Sequence, residues 1–156
     1  MNRKLLILLA LLFSYGLSSC SSDDNPPSED EQTETPEQFT KRYNPDQSFY
    51  SKIIGQEIKY SVLLPQEYLS ESTAKYGVVF LLHGWGGNQN SWGPSGLNIQ
   101  TIVDTQTNNG SVRPLIYIMP EGFNSYFCNR YDGKFNYMDM FINELVPLID
   151  KRFRTT

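Results

Sequence analysis

His83 is the one histidine of the chain, and it opens the run His83-Gly84-Trp85-Gly86-Gly87, with Asn90-Ser91-Trp92 close behind. Glycines at this density let the backbone turn sharply and approach a substrate, leaving main-chain N–H groups free to hold a developing negative charge. On that reading His83, Gly84, Gly86 and Gly87 shape a loop whose main-chain N–H groups could stabilise an oxyanion. An imidazole can also act as a general base or a metal ligand, but no partner cluster accompanies His83, which leaves shaping the loop as its part. Cys128 as a nucleophile needs an imidazole and an acidic partner around it; without them it reads as a loop thiol. Two cysteines, Cys20 and Cys128, build neither a disulfide framework nor a four-ligand zinc site. No metal or other cofactor is called for. Trp92, Tyr126 and Phe127 either line a substrate site or cover the core, since aromatic rings serve both purposes.

The elements that must position this loop are legible as changes of period. Ser48 to Ile54 and Glu57 to Leu64 are short alternating segments separated by Gly55 and closed by Pro65, the pattern of an antiparallel pair. Val78 to Leu82 and Leu115 to Met119 are continuous apolar runs, which fit strands buried on both faces of a mostly parallel sheet. Between them lies a helix over Ile99 to Thr107 with a stop at Asn108-Asn109-Gly110, giving a right-handed strand–helix–strand crossover. A last helix carries Met138, Phe141, Ile142, Leu145, Ile149 and Phe153 at helical spacing, with cations in its final turn and a kink expected at Pro147. The class is α/β. The glycine run thus sits at the C-terminal end of a buried strand, where open α/β sheets place their ligand crevice.

A His-Gly-plus-glycines loop at this position is the oxyanion signature of α/β-hydrolases. With Tyr60-Ser-Val-Leu-Leu-Pro, then Tyr-Ile-Met-Pro-Glu-Gly, Asn124-Ser125-Tyr126-Phe127, and Glu144-Leu-Val-Pro-Leu-Ile-Asp-Lys-Arg-Phe-Arg, the chain resembles the N-terminal half of the esterase family that includes esterase D, tributyrin esterase, and the feruloyl and acetyl-xylan esterases. The resemblance runs from about Gln56 to Arg154, and Tyr126 stands where the family has tryptophan. It implies part of an α/β-hydrolase sheet: antiparallel first strands, then parallel strands with crossover helices. It also implies a serine carboxylic ester hydrolase in which the backbone N–H of Trp85 is one half of the oxyanion hole, and whose substrate is an ester, acetyl or feruloyl groups on plant polysaccharide among them.

That chemistry needs a serine in Gly-x-Ser-x-Gly, then an acid, then a histidine, in chain order. The nearest match, Gly93-Pro94-Ser95-Gly96-Leu97, has its second glycine one place early and no strand before it. The triad is therefore expected beyond Thr156, the chain is expected to be inactive alone, and Val78 to Leu82 is expected to stand as an apolar sheet edge that invites aggregation. A different class of function, a non-catalytic surface lipoprotein with a glycan-binding groove, draws on Trp85, Trp92 and Tyr126.

The N-terminus reads as an address. Arg3 and Lys4 precede nine apolar residues, Leu5 to Phe13, and the small residues before Cys20. Such a run is too short for a transmembrane helix, which takes roughly 20 residues, and fits a signal peptide. Leu17-Ser-Ser-Cys20 resembles a bacterial lipobox, which implies lipid attachment at Cys20, export, and anchoring to the outer membrane or cell surface of a Gram-negative bacterium. Residues 21–38 hold seven acids, three prolines and no base, the composition of a solvated tether. The organisation read from sequence is a lipoprotein signal over 1–19, a lipidated tether over 20–38 and a partial esterase domain over 39–156. Thirteen bases against 17 acids, with no basic stripe, exclude a nucleic-acid partner.

Overall fold

In the computed structural model, which describes residues 39–156, a four-stranded sheet runs in the order β1-β2-β4-β3. The strands are β1 (Tyr43–Ser51), β2 (Gln56–Leu63), β3 (Gly77–Phe80) and β4 (Leu115–Pro120). The signal, Cys20 and the tether lie outside the described residues. β1 pairs antiparallel with β2, β2 antiparallel with β4, and β3 parallel with β4. The expected antiparallel start followed by a parallel pair is present.

Side-chain alternation divides the sheet between two cores. Ile58, Tyr60, Val62, Ile116 and Ile118 face one cluster, while Leu63, Tyr117 and Met119 face the other. β4 takes part in both, and its residues Ile116 to Pro120 are all buried. Burying a side chain of this size contributes about 1.5 to 3 kcal/mol, so β4 is a main source of the sheet's stability. The second face is covered by α1 (Ile99–Asn108), through Val103 and Ile99. This helix links the parallel strands β3 and β4, and Gly110, at φ 76, closes it by donating to the Thr107 carbonyl.

The first face is covered by a C-terminal helical segment of three parts: α2 (Tyr137–Met140), a π-helical turn (Phe141–Leu145) and α3 (Val146–Arg152). Pro147 has no N–H for an intrahelical bond. The expected kink takes the form of a change in helix type, with the wide turn ending just before the proline. A π turn holds more residues than an α turn, so the inward face shifts. Tyr137, Met140, Leu145, Ile149 and Phe153 are buried, whereas Met138 and Ile142, placed on that face by spacing, are 40% and 55% exposed.

The outer strands also differ from the sequence reading, β1 ending at Ser51 rather than Ile54 and β3 at Phe80 rather than Leu82. β1 begins at Tyr43 rather than Ser48, because an irregularity between Asn44 and Gln47 absorbs Pro45 and left-handed Asp46 and the pairing then continues. β3 is half-buried rather than buried on both faces, since it forms the last strand of the sheet. Its flank is not wholly bare: Tyr76, just before it, forms a parallel bridge with Thr155. The Tyr76 N–H donates to the Arg154 carbonyl, and the Thr156 N–H donates to the Tyr76 carbonyl.

Candidate active site: the glycine loop and its braces

β3 delivers the chain to the glycine loop at its C-terminal end. Leu81 still donates to the Ile118 carbonyl, and His83 then turns inward, with only 1% of its side chain exposed. Its Nε2 accepts the Gly122 N–H at 2.9 Å, and its Nδ1 stands 2.8 Å from the Gly84 carbonyl oxygen. A nitrogen that accepts an N–H carries no proton, so the proton sits on Nδ1 and is donated to Gly84. His83 therefore joins the glycine loop to the loop that follows β4, and both of its nitrogens are engaged. That leaves no lone pair free for a serine or a metal. Glu121 Oε1 lies 3.4 Å from Nε2 but takes the Phe123 N–H instead.

Gly84 to Gly87 form a turn closed by the Gly87 N–H, which donates to the Gly84 carbonyl at 3.0 Å. Gly86 stands third in the turn at φ 74, the place where a left-handed residue is required. The Gly84 carbonyl is thus held from two sides, by His83 and by Gly87. In a planar trans peptide the carbonyl and the next N–H point in opposite directions, so the Trp85 N–H is directed away from these braces. No acceptor among the described residues takes it. A free, fixed N–H at a strand's C-terminal end is what an oxyanion donor requires. Gly87 is packed as closely as the turn permits: a Cβ there would stand 2.8 Å from Ser91 Oγ, 3.0 Å from His83 Nδ1 and 3.1 Å from the Gly84 oxygen.

The loop after β4 braces the first one. Asn124 Oδ1 accepts the Gly86 N–H at 3.0 Å. Ser125 Oγ donates to the Gly122 carbonyl and accepts the Phe127 N–H. Phe127 turns inward, edge-on to both His83 and Tyr137, and its ring fills the space where a Cβ on Gly122 would stand. The Tyr137 hydroxyl donates to the Glu121 carbonyl, and burial, with the Glu121 charge second, pushes its pKa well above the usual tyrosine value. Tyr126 turns outward instead, 76% exposed, with its ring 5.2 Å from that of Trp85, itself 68% exposed.

The aromatic residues left open by the sequence are thus separated. Trp92 packs with Leu63, Val103, Tyr117 and Met119 on the α1 face, Phe127 belongs to the opposite core with its ring against His83, and Tyr126 is exposed with its ring against Trp85 of the glycine loop. Ser95 lies in an exposed turn, and Cys128 is exposed with its Sγ against the Tyr126 carbonyl. Neither has an imidazole partner, because His83 is committed elsewhere.

Sequence reasoning missed a second brace. Asp46 Oδ1 accepts from Gln89 Nε2 and Asn90 Nδ2, and Asn90 Oδ1 accepts from Tyr43 and Ser61 hydroxyls. The hydrogen bond from Gln89, then that from Asn90, lowers the Asp46 pKa. This network ties the β1 irregularity to the segment just past the glycines. No spacing rule links positions 46 and 90, which meet only in the fold, where Ser61 of β2 bonds to both.

The chain is similar to known proteins. The family model described as "Putative esterase" matches residues 51–156. An endo-1,4-beta-xylanase/feruloyl esterase of Xylanibacter ruminicola is 34% identical over 117 residues, covering 69% of this chain and 16% of that protein. Endo-1,4-beta-xylanase Y of Acetivibrio thermocellus is 30% identical over 95 residues, covering 61% of this chain and 8% of that protein. Among solved structures, a ferulic acid esterase superposes with TM-score 0.64 at 22% identity, over 73% of this chain and 46% of the other. The CE1 ferulic acid esterase of Anaeromyces mucronatus, in complex with ferulic acid, gives 0.59 at 21% identity, over 77% and 47%. The chain therefore spans a small fraction of its curated relatives and under half of these solved chains, and its sheet is part of an α/β-hydrolase fold. With the family model covering β2, β3, β4, the glycine loop and the C-terminal helices alike, the chain belongs to that esterase family.

Proposed function

We propose that this chain carries the oxyanion-binding part of a serine carboxylic ester hydrolase that removes acyl groups, acetyl or feruloyl, from plant polysaccharide. One observation supports the reading above the others: the Trp85 N–H is free while the Gly84 carbonyl behind it is held by His83 and Gly87. A donor fixed before the reaction costs no reorganisation as the oxyanion forms, and removing such a donor costs about 2.7 to 4 kcal/mol of transition-state stabilisation. The polysaccharide ester is drawn from the relatives named feruloyl esterase and xylanase.

His83 has no nitrogen to spare for a serine, so on this reading the nucleophile, acid and base come from outside these 156 residues. The chain by itself then hydrolyses no p-nitrophenyl acetate above background. Turnover abolished by Ser95→Ala or Cys128→Ala would contradict this. The coding sequence past the Thr156 codon is the companion test: a Gly-x-Ser-x-Gly followed by a histidine supports the reading, and their absence from all three frames overturns it.

The same proposal places the protein outside the cytoplasm, lipid-anchored through Cys20 to the outer membrane or cell surface. Support comes from the basic, apolar and small-residue succession ahead of Cys20, and two acyl chains give stable attachment where one does not. Labelled palmitate should be incorporated by the wild type and not by Cys20→Ala; equal labelling contradicts the anchor.

A further inference from the structure

We infer that Asp46 is a positioning residue for the oxyanion donor: acting through Gln89 and Asn90, its carboxylate holds the far side of the glycine loop and so keeps closed the turn that aims the Trp85 N–H. The assignment rests on the ester-hydrolase reading above. Residues 81–98, between the end of β3 and the start of α1, contain no helix or strand. Loops longer than roughly 12 to 15 residues are uncommon in compact domains unless they carry function, and the glycines at 84, 86 and 87 give this one unusual freedom. A donor in such a loop stays fixed only if the chain is held on both sides of it. His83 holds the near side through Gly122. On the far side the anchor is Asp46.

A carboxylate only accepts hydrogen bonds, which fixes the direction of every contact. Asn90 turns its Nδ2 to Asp46 Oδ1 at 3.0 Å, and its own Oδ1 accepts from the Tyr43 and Ser61 hydroxyls at 3.2 and 2.8 Å. Buried Gln89 gives its Nε2 to the same Asp46 oxygen. From Asn90 the hold passes back toward the glycines. The Asn90 N–H donates to Asn88 Oδ1, the Asn88 N–H to Ser91 Oγ, and the Ser91 N–H to the Asn88 carbonyl. Ser91 Oγ is also the nearest atom to a Cβ built on Gly87, at 2.8 Å. The anchored segment therefore packs directly on the residue whose N–H closes the turn at the Gly84 carbonyl.

The backbone at Asp46 points the same way. Its φ is 54°, a left-handed conformation that Asp tolerates better than most residues but that is sparsely populated all the same. β1 itself gains little from it, since pairing with β2 is already continuous from Gln47 to Ser51. What the conformation accompanies is a side chain that leaves its own strand to grip two residues 43 and 44 positions further on. Strain of this kind persists where the surroundings over-determine it, and it gathers at functional sites. Here the two residues gripped lie just beyond the candidate oxyanion turn.

The test is amide hydrogen exchange of the full chain, resolved by residue, in the wild type, Asp46→Gly, Asp46→Asn and Glu144→Ala. Glycine removes the carboxylate and relaxes the left-handed backbone, so lost contacts rather than added strain are read. Asparagine keeps an acceptor in place of Oδ1, the oxygen that takes both bonds. Exchange in a loop reports local opening. In Asp46→Gly the protection of Gly87 and Ser91 should fall about tenfold relative to the amides of β2 and β4, while Gly122, held from the His83 side, changes no more than the sheet does. Asp46→Asn should stay within about threefold of the wild type, and Glu144→Ala, which acts at the opposite end of β1, should leave the ratio of Gly87 to sheet protection unchanged. Unaltered protection of Gly87 in Asp46→Gly, a loss spread evenly over loop and sheet, or an equal loss in Asp46→Asn or Glu144→Ala would overturn the assignment. No turnover is needed for any of these readings, so the hydrolase reading fails separately, on the coding sequence.

Discussion

At the scale of single residues, the glycine loop shows how little chemistry is needed to aim one N–H. His83 and Gly87 both bond the Gly84 carbonyl, and peptide planarity turns the Trp85 N–H outward. Gly87→Ala should destabilise the protein by about 1 to 3 kcal/mol, as overpacking usually does, because its Cβ would collide with Ser91, His83 and Gly84 together. Chemical denaturation reads this directly, and an unchanged midpoint would show that the turn is looser than described. Charged residues contribute in the hydrogen-bonded networks around the sheet. The Asp104 carboxylate is held below its usual pKa first by hydrogen bonding from Arg42, and that of Asp46 first by Gln89. A depressed carboxylate stabilises the fold above its unfolded pKa, and the contribution is lost as the pH falls through the lower folded value. Stability should therefore decline below about pH 4, where free Asp titrates. In Asp46→Asn/Asp104→Asn the decline should be shallower, as measured by thermal melts from pH 7 to pH 3; an unaltered slope would contradict these assignments. His83, Gly84, Gly86 and Gly87 were legible from type and spacing, and Trp85, Glu121 and Asn124 stood in motifs of the resemblance, whereas the contacts of Glu121 and Asn124, and any part for Asp46, became visible only once strands had brought distant loops together.

Elements show where pattern reading works and where it stops. Period alone located β2, β4 and α1 to within a residue or two, since each buries a regular face. β1 was read short because Pro45 and Asp46 interrupt alternation at a place where pairing on β2 nevertheless continues. In the C-terminal helical segment the type was right and the face partly wrong, because a π turn changes the spacing on which the face was judged. That turn has a partner across the sheet. Glu144 Oε2 accepts from the Ser51 hydroxyl, while Oε1 accepts the Lys52 and Ile53 N–H groups at 2.9 and 3.1 Å, so one carboxylate caps the turn between β1 and β2. Hydrogen bonds to a charged group contribute about 1.5 to 3 kcal/mol when well formed. With the two backbone donors near solvent, Glu144→Ala is expected to cost about 1 to 2 kcal/mol by urea unfolding. A change within error would mean that the turn between β1 and β2 holds its shape unaided.

For the molecule as a whole, sheet order sets the consequences. β3 ends the sheet, half-buried and carrying Val78, Val79 and Phe80, and the bridge between Tyr76 and Thr155 engages only its approach. An apolar strand with unpaired backbone groups recruits other strands. The full chain should therefore self-associate with rising concentration, as followed by light scattering on a sizing column; a monomer at every concentration with a sharp cooperative melt would contradict this. The fold class was expected from the pattern of apolar runs, and this edge from the resemblance to α/β-hydrolases, whereas the run itself read as a strand buried on both faces. Which of the aromatic residues face the site was not legible, since Trp92 and Tyr126 read alike until the sheet put them on different surfaces. Amide hydrogen exchange resolved residue by residue tests the central claim, a prepared oxyanion donor, most directly. The Gly87 and Gly122 amides should be strongly protected while Trp85 exchanges at close to its intrinsic rate; a Trp85 amide as protected as Gly87 would mean that its N–H already has an acceptor and is not held ready for an ester.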